Sequence, residues 1–324
     1  MPWAFLTSLV LVFAMGASIQ RGNTCTVVAF DDLIHRRSPQ RLLAIAYAWL
    51  LVAGVLSALR EVTGFQPAAR LFAITGWSVV GGLLLGIGAV TNGACTTGTV
   101  ARIGSGEYVF LLTIGGFFLG CLIAPPVFGR GATTHIASTP TTTSLDHPVA
   151  ALIGLAIVVA LTLRRVVAGR HETLREFLRN SWDPRTAMLS VSLMFVALIS
   201  LSGAWAYTDL LGDISREGVT STSGPRLAFL VALLAGAVVA GRTQQGNRLI
   251  GPLTPRLLRC SIGGIIMGAG FSLAPGSFDG LTLFSQPLLL PFAWVVMASC
   301  YVAVTLGILY LRSYLGDWIK TRRG

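Results

Sequence analysis

Two polar stretches interrupt long apolar runs in this chain, and both carry hydrogen-bonding side chains. The first reads Thr91-Asn92-Gly93-Ala94-Cys95-Thr96-Thr97-Gly98-Thr99 and the second Ala274-Pro275-Gly276-Ser277-Phe278-Asp279-Gly280. Cys95, Thr96, Thr97 and Ser277 offer short S–H and O–H donors. Gly93, Gly98, Gly276 and Gly280 let the backbone break and free its N–H groups. Where water is absent those groups need partners, and beside hydroxyls they suit a small anion. Cys25 adds a thiol in a third polar block, Arg21–Asp32. Asp279 is the acidic residue inside the second stretch, and a carboxylate at membrane depth is a functional candidate. Ionised, it opposes an anion; protonated, it can couple anion movement to protons. Its plainer role is to cap a helix start just outside the bilayer.

The thiols admit a second chemistry. A membrane-embedded sulfurtransferase or redox protein would use Cys25 or Cys95 as a nucleophile, which requires a neighbouring base or an activating environment. No histidine lies near either residue. Buried cysteines often serve only as small hydrophobes; that reading fits Cys121, Cys260 and Cys300, which sit in apolar runs. Cys25 and Cys95 lie in polar, glycine-flanked breaks, which favours a role in function. With no CxxC pair and no His/Cys cluster, neither a metal nor another cofactor is expected.

The rest of the chain must place these stretches in a membrane. Of 324 residues, 53% are hydrophobic and only 11% charged, with a mean hydropathy of +0.73. A soluble domain carries about 25% charged residues, so a water-facing surface cannot be covered. The unbroken apolar runs also differ from the alternating strands of an outer-membrane barrel. Nine apolar segments can be drawn, at 2–20, 41–59, 71–90, 107–124, 149–163, 187–207, 226–241, 257–275 and 288–311. The first lacks a preceding basic residue and is followed directly by Arg21, which reads as a retained helix rather than a signal peptide.

A net charge of +11 invites a nucleic-acid partner, but the basic residues sit in short loops, as the positive-inside rule expects. With Met1 outside, 19 of the 24 basic residues fall on the inner side, among them Arg21, Arg41, Arg102, Arg185, Arg256 and Arg259. The expectation is a bacterial inner-membrane protein with a periplasmic N-terminus and a cytoplasmic C-terminus. Residues 1–163 and 187–324 would form two membrane halves. The linker 164–186 would be cytoplasmic, with a short surface helix around Glu172–Leu178, and the Thr/Ser/Pro-rich loop 125–148 would face outward.

The halves resemble each other. Gly81-Gly82-Leu83-Leu84-Leu85-Gly86-Ile87-Gly88 aligns with Gly263-Gly264-Ile265-Ile266-Met267-Gly268-Ala269-Gly270 at an offset of 182, and the same offset pairs Cys95 with Ser277 and Gly98 with Gly280. Helix-packing GxxxG faces explain each half alone but not this shared register. The second copy lies five segments after the first, an odd offset that inverts it, the arrangement of transporters with a central site at the repeat interface. The expected fold is therefore an all-α polytopic membrane protein, about nine spans in two inverted repeats with broken-helix hairpins.

These residues resemble the YeeE/YedE family of sulfur-compound transporters. The match rests on Gly81–Gly88, on Ala94-Cys95-Thr96-Thr97-Gly98-Thr99 with Arg102, on Arg21–Asp32, and more loosely on Leu257–Gly280. The resemblance implies import of a small sulfur-containing anion such as thiosulfate, handed inward by three cysteines through S–H hydrogen bonds. Cys25 and Cys95 match the first two, and Ser277 stands where the family has the third. It also implies a small cytoplasmic sulfur-carrier protein as partner.

Overall fold

The computed structural model describes residues 2–67, 71–128, 135–136, 149, 152–160, 181–244, 253–274 and 276–321. The first half contains α1 (Pro2–Gly22), α2 (Thr26–Arg36), α3 (Gln40–Thr63), α4 (Gly76–Asn92), α5 (Thr96–Gly104) and α6 (Leu111–Phe128). The second contains α7 (Pro184–Ser202), α8 (Tyr207–Glu217), α9 (Ser223–Gln244), α10 (Leu253–Leu273), α11 (Phe278–Gly280), a π-helical turn at Leu281–Ser285, and α12 (Pro291–Thr321). A two-residue antiparallel ladder joins β1 (Leu71–Phe72) to β2 (His135–Ile136).

The protein is all-α and membrane-spanning. Among the described residues, eight helices are long and apolar enough to cross a membrane, counting α1 with α2 and α4 with α5 as single broken spans. Their outward faces carry Leu6, Val10, Val231, Ile123 and Leu306, apolar side chains that lipid accepts and water would not. Of the expected segment at 149–163, residue 149 and residues 152–160 are helical. The remainder lies outside the described residues, as do the expected surface helix at Glu172–Leu178 and most of the loop 125–148. That loop starts later than expected, because α6 continues through Pro125 and Pro126 to Phe128.

Adding 182 to the first residues of α1–α6 reproduces those of α7–α12 to within five residues. The packing follows the same exchange. α1 packs on α9 while α3 packs on α7, and α4 packs on α12 while α10 packs on α6. α4 and α10 cross at their matching glycines. A Cβ at Gly88 would lie 2.8 Å from the Gly263 carbonyl oxygen, and one at Gly81 would lie 2.8 Å from that of Gly270. Only hydrogen side chains permit such backbone contact, which supplies the dispersion that holds helices together in lipid.

Sequence reasoning expects two broken-helix hairpins and a further polar break at Cys25, and the structure has four helix breaks among the described residues. The additional pair separates α1 from α2 and α7 from α8. Each break holds a residue of positive φ: Asn23 (44°), Gly93 (81°), Gly203 (86°) and Gly276 (108°). A left-handed residue ends an α-helix at little cost when it is glycine or asparagine. At Gly93 the backbone N–H returns to the carbonyls of Ala89 and Val90, and the chain then restarts as α5.

Candidate functional site

The four breaks meet. Cys25, at the start of α2, has its Sγ 3.4 Å from that of Cys95, and the Cys95 backbone N–H donates to it at 3.4 Å. Both thiols are free and buried. Cys95 is also the N-cap of α5, its sulfur accepting the Gly98 N–H at 3.4 Å. Ser277 does the same for α11, its hydroxyl accepting the Gly280 N–H at 3.0 Å. Positions 182 apart thus make the same capping contact, which satisfies an N–H that would otherwise be orphaned at a helix start.

Position 98 must be glycine for the thiols to meet. A Cβ there would lie 2.5 Å from the Cys25 sulfur and 2.9 Å from its Cβ. A Cβ at Gly280 would approach the Ser277 hydroxyl at 2.8 Å and an Asp209 carboxylate oxygen at 3.3 Å. The third and fourth breaks therefore meet as well, less closely than the first and second.

Asp279 ties the two halves together. Its Oδ1 accepts the hydroxyls of Thr96 and Thr97, each at 2.7 Å. Thr97 and Asp279 are themselves 182 positions apart, so equivalent residues of the two halves touch directly. The Thr97 hydroxyl also accepts from the Cys95 thiol at 3.8 Å, and the Tyr207 hydroxyl donates to the Thr96 carbonyl at 3.0 Å. A continuous polar chain runs from Cys25 through Cys95 and Thr97 to Asp279 and Thr96.

Two cavities flank this chain. One is lined by Thr24, Cys25, Arg41, Phe278 and Thr282; the other by Met15, Ile19, Phe195, Trp205 and Tyr207. Thr97, Asp279 and Leu283 line both, so the junction between the cavities lies at those three side chains. Arg41 is held by Asp32 at 2.7 Å and by the carbonyls of Gly22 and Asn23 at 3.1 and 2.7 Å. Three buried polar atoms on these walls have no protein partner: the hydroxyls of Thr24 and Thr282 and the indole N–H of Trp205. Unpaired buried donors are costly, and an anion or water in the cavities would satisfy them.

Of the residues singled out from sequence, Cys25, Thr97 and Asp279 line a cavity. Cys95, Ser277 and Thr96 are buried behind them, with Cys95 and Ser277 at 0% exposure. Gly93 and Gly276 supply turns, and Gly98 and Gly280 close approaches. Cys121 lies apart, its thiol donating to the Gly268 carbonyl at 3.5 Å. Asp209, Tyr207, Thr24, Thr282 and Trp205 were not anticipated. The 182-residue offset was the usable signal for one of them, since it sets Tyr207 against Cys25. No group of three or more His, Cys, Asp or Glu residues able to hold a metal occurs among the described residues.

This geometry belongs beside what is known of related chains. A family model described as sulphur transport matches residues 21–306, a stretch containing all four breaks. The chain belongs to the sulphur-transport family. Its relatives include two proteins named thiosulfate transporter TsuA. The one from Escherichia coli (strain K12) is 24% identical, covering 92% of this chain and 92% of its own length. The one from Spirochaeta thermophila is 23% identical, covering 98% and 99%. Membership assigns the chain to transporters rather than to the thiol enzymes that Cys25 or Cys95 would otherwise suit.

Proposed function

We propose that the protein imports a small sulfur-containing anion, thiosulfate first, through the two cavities and past the junction at Thr97, Asp279 and Leu283. The observation that carries this reading is the Cys25–Cys95 thiol pair, 3.4 Å apart, where the first two breaks meet, with Cys25 on the cavity wall. The names of the relatives point the same way. A neutral thiol binds an anion weakly and reversibly, which suits transit better than capture. Cys25, Thr24, Thr282 and Trp205 would contact the anion; Cys95, Thr96 and Ser277 would hold the contacting residues in place. Ser277 replaces the third thiol of the family relay, and its hydroxyl is already engaged as a cap.

The recurrence of element starts and packing partners supports two inverted repeats, with broken-helix hairpins meeting at the centre. The membrane would be the bacterial inner membrane, with a periplasmic N-terminus and a cytoplasmic C-terminus. Residues assigned to the inner side by charge counting do gather. Arg102 and Arg256 share Glu107 at 2.7 and 3.3 Å, and Arg259 reaches the Thr91 carbonyl at 3.2 Å. A small cytoplasmic sulfur-carrier protein would receive the imported sulfur.

The test is uptake of radiolabelled thiosulfate by purified protein in liposomes. Accumulation of unchanged thiosulfate is the expected result. Conversion of thiosulfate without accumulation would replace transport with thiol chemistry.

A further inference from the structure

We propose that Asp279 takes up a proton with each anion crossing the junction, so that transport is coupled to protons. This rests on the anion-transport reading above and adds its energy source. Asp279 is a wall residue of both cavities, so an anion crossing between them at this junction passes beside its carboxylate.

The hydrogen-bond inventory then sets the condition for passage. A threonine hydroxyl has one hydrogen. Those of Thr96 and Thr97 both point to Asp279 Oδ1, and the single hydrogen of the Cys95 thiol is directed to the Cys25 sulfur or the Thr97 hydroxyl. While Asp279 is ionised, the junction therefore presents an anion with a negative charge and no free hydroxyl hydrogen. A protonated Asp279 removes the charge, becomes a donor itself, and releases the Thr97 hydroxyl on the cavity wall to turn toward the anion. One proton converts a repelling site into one with two donors.

The surrounding charges offer no substitute. Among the described residues Arg41 is the one cation lining either cavity, and Asp32 and two carbonyls already engage it. The other titratable groups near Asp279 are Cys25 across the first cavity, Cys95 behind Thr97, Tyr207 in the second cavity and Asp209 beyond Gly280. None of these is a cation. An intramembrane carboxylate at the meeting point of two repeats is also where transporters place proton relays. A dianion carried with one proton moves a single net negative charge.

The experiment uses proteoliposomes with the membrane potential clamped, a trapped pH dye and radiolabelled thiosulfate. In the wild type, adding thiosulfate outside should acidify the lumen together with influx, and an inward proton gradient should speed influx severalfold. Asp279→Asn, which keeps the shape and cannot titrate, should admit thiosulfate faster at neutral pH, with no lumen acidification and no response to the gradient. Asp279→Glu should restore both responses, and Asp209→Asn should retain them. Thiosulfate entering wild-type liposomes without protons would overturn the coupling and leave the transport reading standing, as would coupling that survives in Asp279→Asn. Absence of thiosulfate influx in the wild type at every pH would overturn the transport reading and this inference with it.

Discussion

Replacing Gly98 with alanine tests whether the two thiols must touch. The new Cβ would begin 2.5 Å from the Cys25 sulfur, 2.9 Å from the Cys25 Cβ and 3.2 Å from the Ala94 Cβ. Carbon contacts are comfortable at about 3.5–4.0 Å, so α5 and the start of α2 must separate by about 1 Å. Overpacking of this kind costs about 1–3 kcal/mol, which a helical membrane protein with this much buried surface should survive. Function is the more sensitive readout, because a positioned group displaced by about 1 Å can lose on the order of a hundredfold in rate. The assay is initial thiosulfate uptake in liposomes, normalised to folded protein by size-exclusion chromatography. Gly115→Ala is the matched control, since a Cβ there meets nothing within 4 Å. Gly98→Ala should reduce uptake strongly and Gly115→Ala should not. Equal uptake by the two variants at equal expression would refute the claim that the Cys25–Cys95 contact matters.

Three further outcomes are expected. Cys95→Ala should lower uptake, because it removes the thiol that positions Cys25 and caps α5, a lost cap being worth about 0.5–2 kcal/mol, whereas Cys121→Ala should change it little. Ser277→Ala should lower thermal stability by an amount matching a lost helix cap, about 0.5–2 kcal/mol. Ser277→Cys should keep most of that cap, as the Cys95 sulfur does for α5. In intact cells an impermeant thiol reagent should label a cysteine introduced at position 140 and spare one at 175; the reverse pattern would invert the assigned orientation.

The breaks at Cys95 and Ser277 were legible because each follows a glycine run whose register repeats 182 residues away. Of the other two, the polar block at Cys25 was visible but its continuation as a half-helix was not, and the break before α8 was missed. α2 carries Asp31, Asp32 and His35, and α8 carries Asp209, Asp213, Arg216 and Glu217, so both read as polar connections beside an apolar span. A hydropathy window of span length averages over such short half-helices. The repeat held the missing information, since carrying the offset of 182 back to α2 lands on α8. Asp279 stood out as the acid within a break, but its bonds to Thr96 and Thr97 join residues far apart in sequence. The unpartnered state of Thr24, Thr282 and Trp205 has no local signature, because a missing partner is a property of the assembled bundle.

The exchange of packing partners between halves has a consequence for biosynthesis. α4 emerges from the ribosome with Gly81 and Gly88 on its surface, and the helix that covers them, α10, begins only at Leu253. About 160 residues separate the two, which at ~5–20 residues per second is a wait of about 8–30 s. During that interval the glycine face of α4 has only lipid against it, and α1 likewise awaits α9. Neither half buries its own small-residue seams, so a chain interrupted between α6 and α7 leaves a membrane-inserted fragment with unfilled grooves. Such a fragment is a natural substrate for membrane proteases, and insertion chaperones that shield α1 and α4 until the second half arrives should set the yield of functional protein.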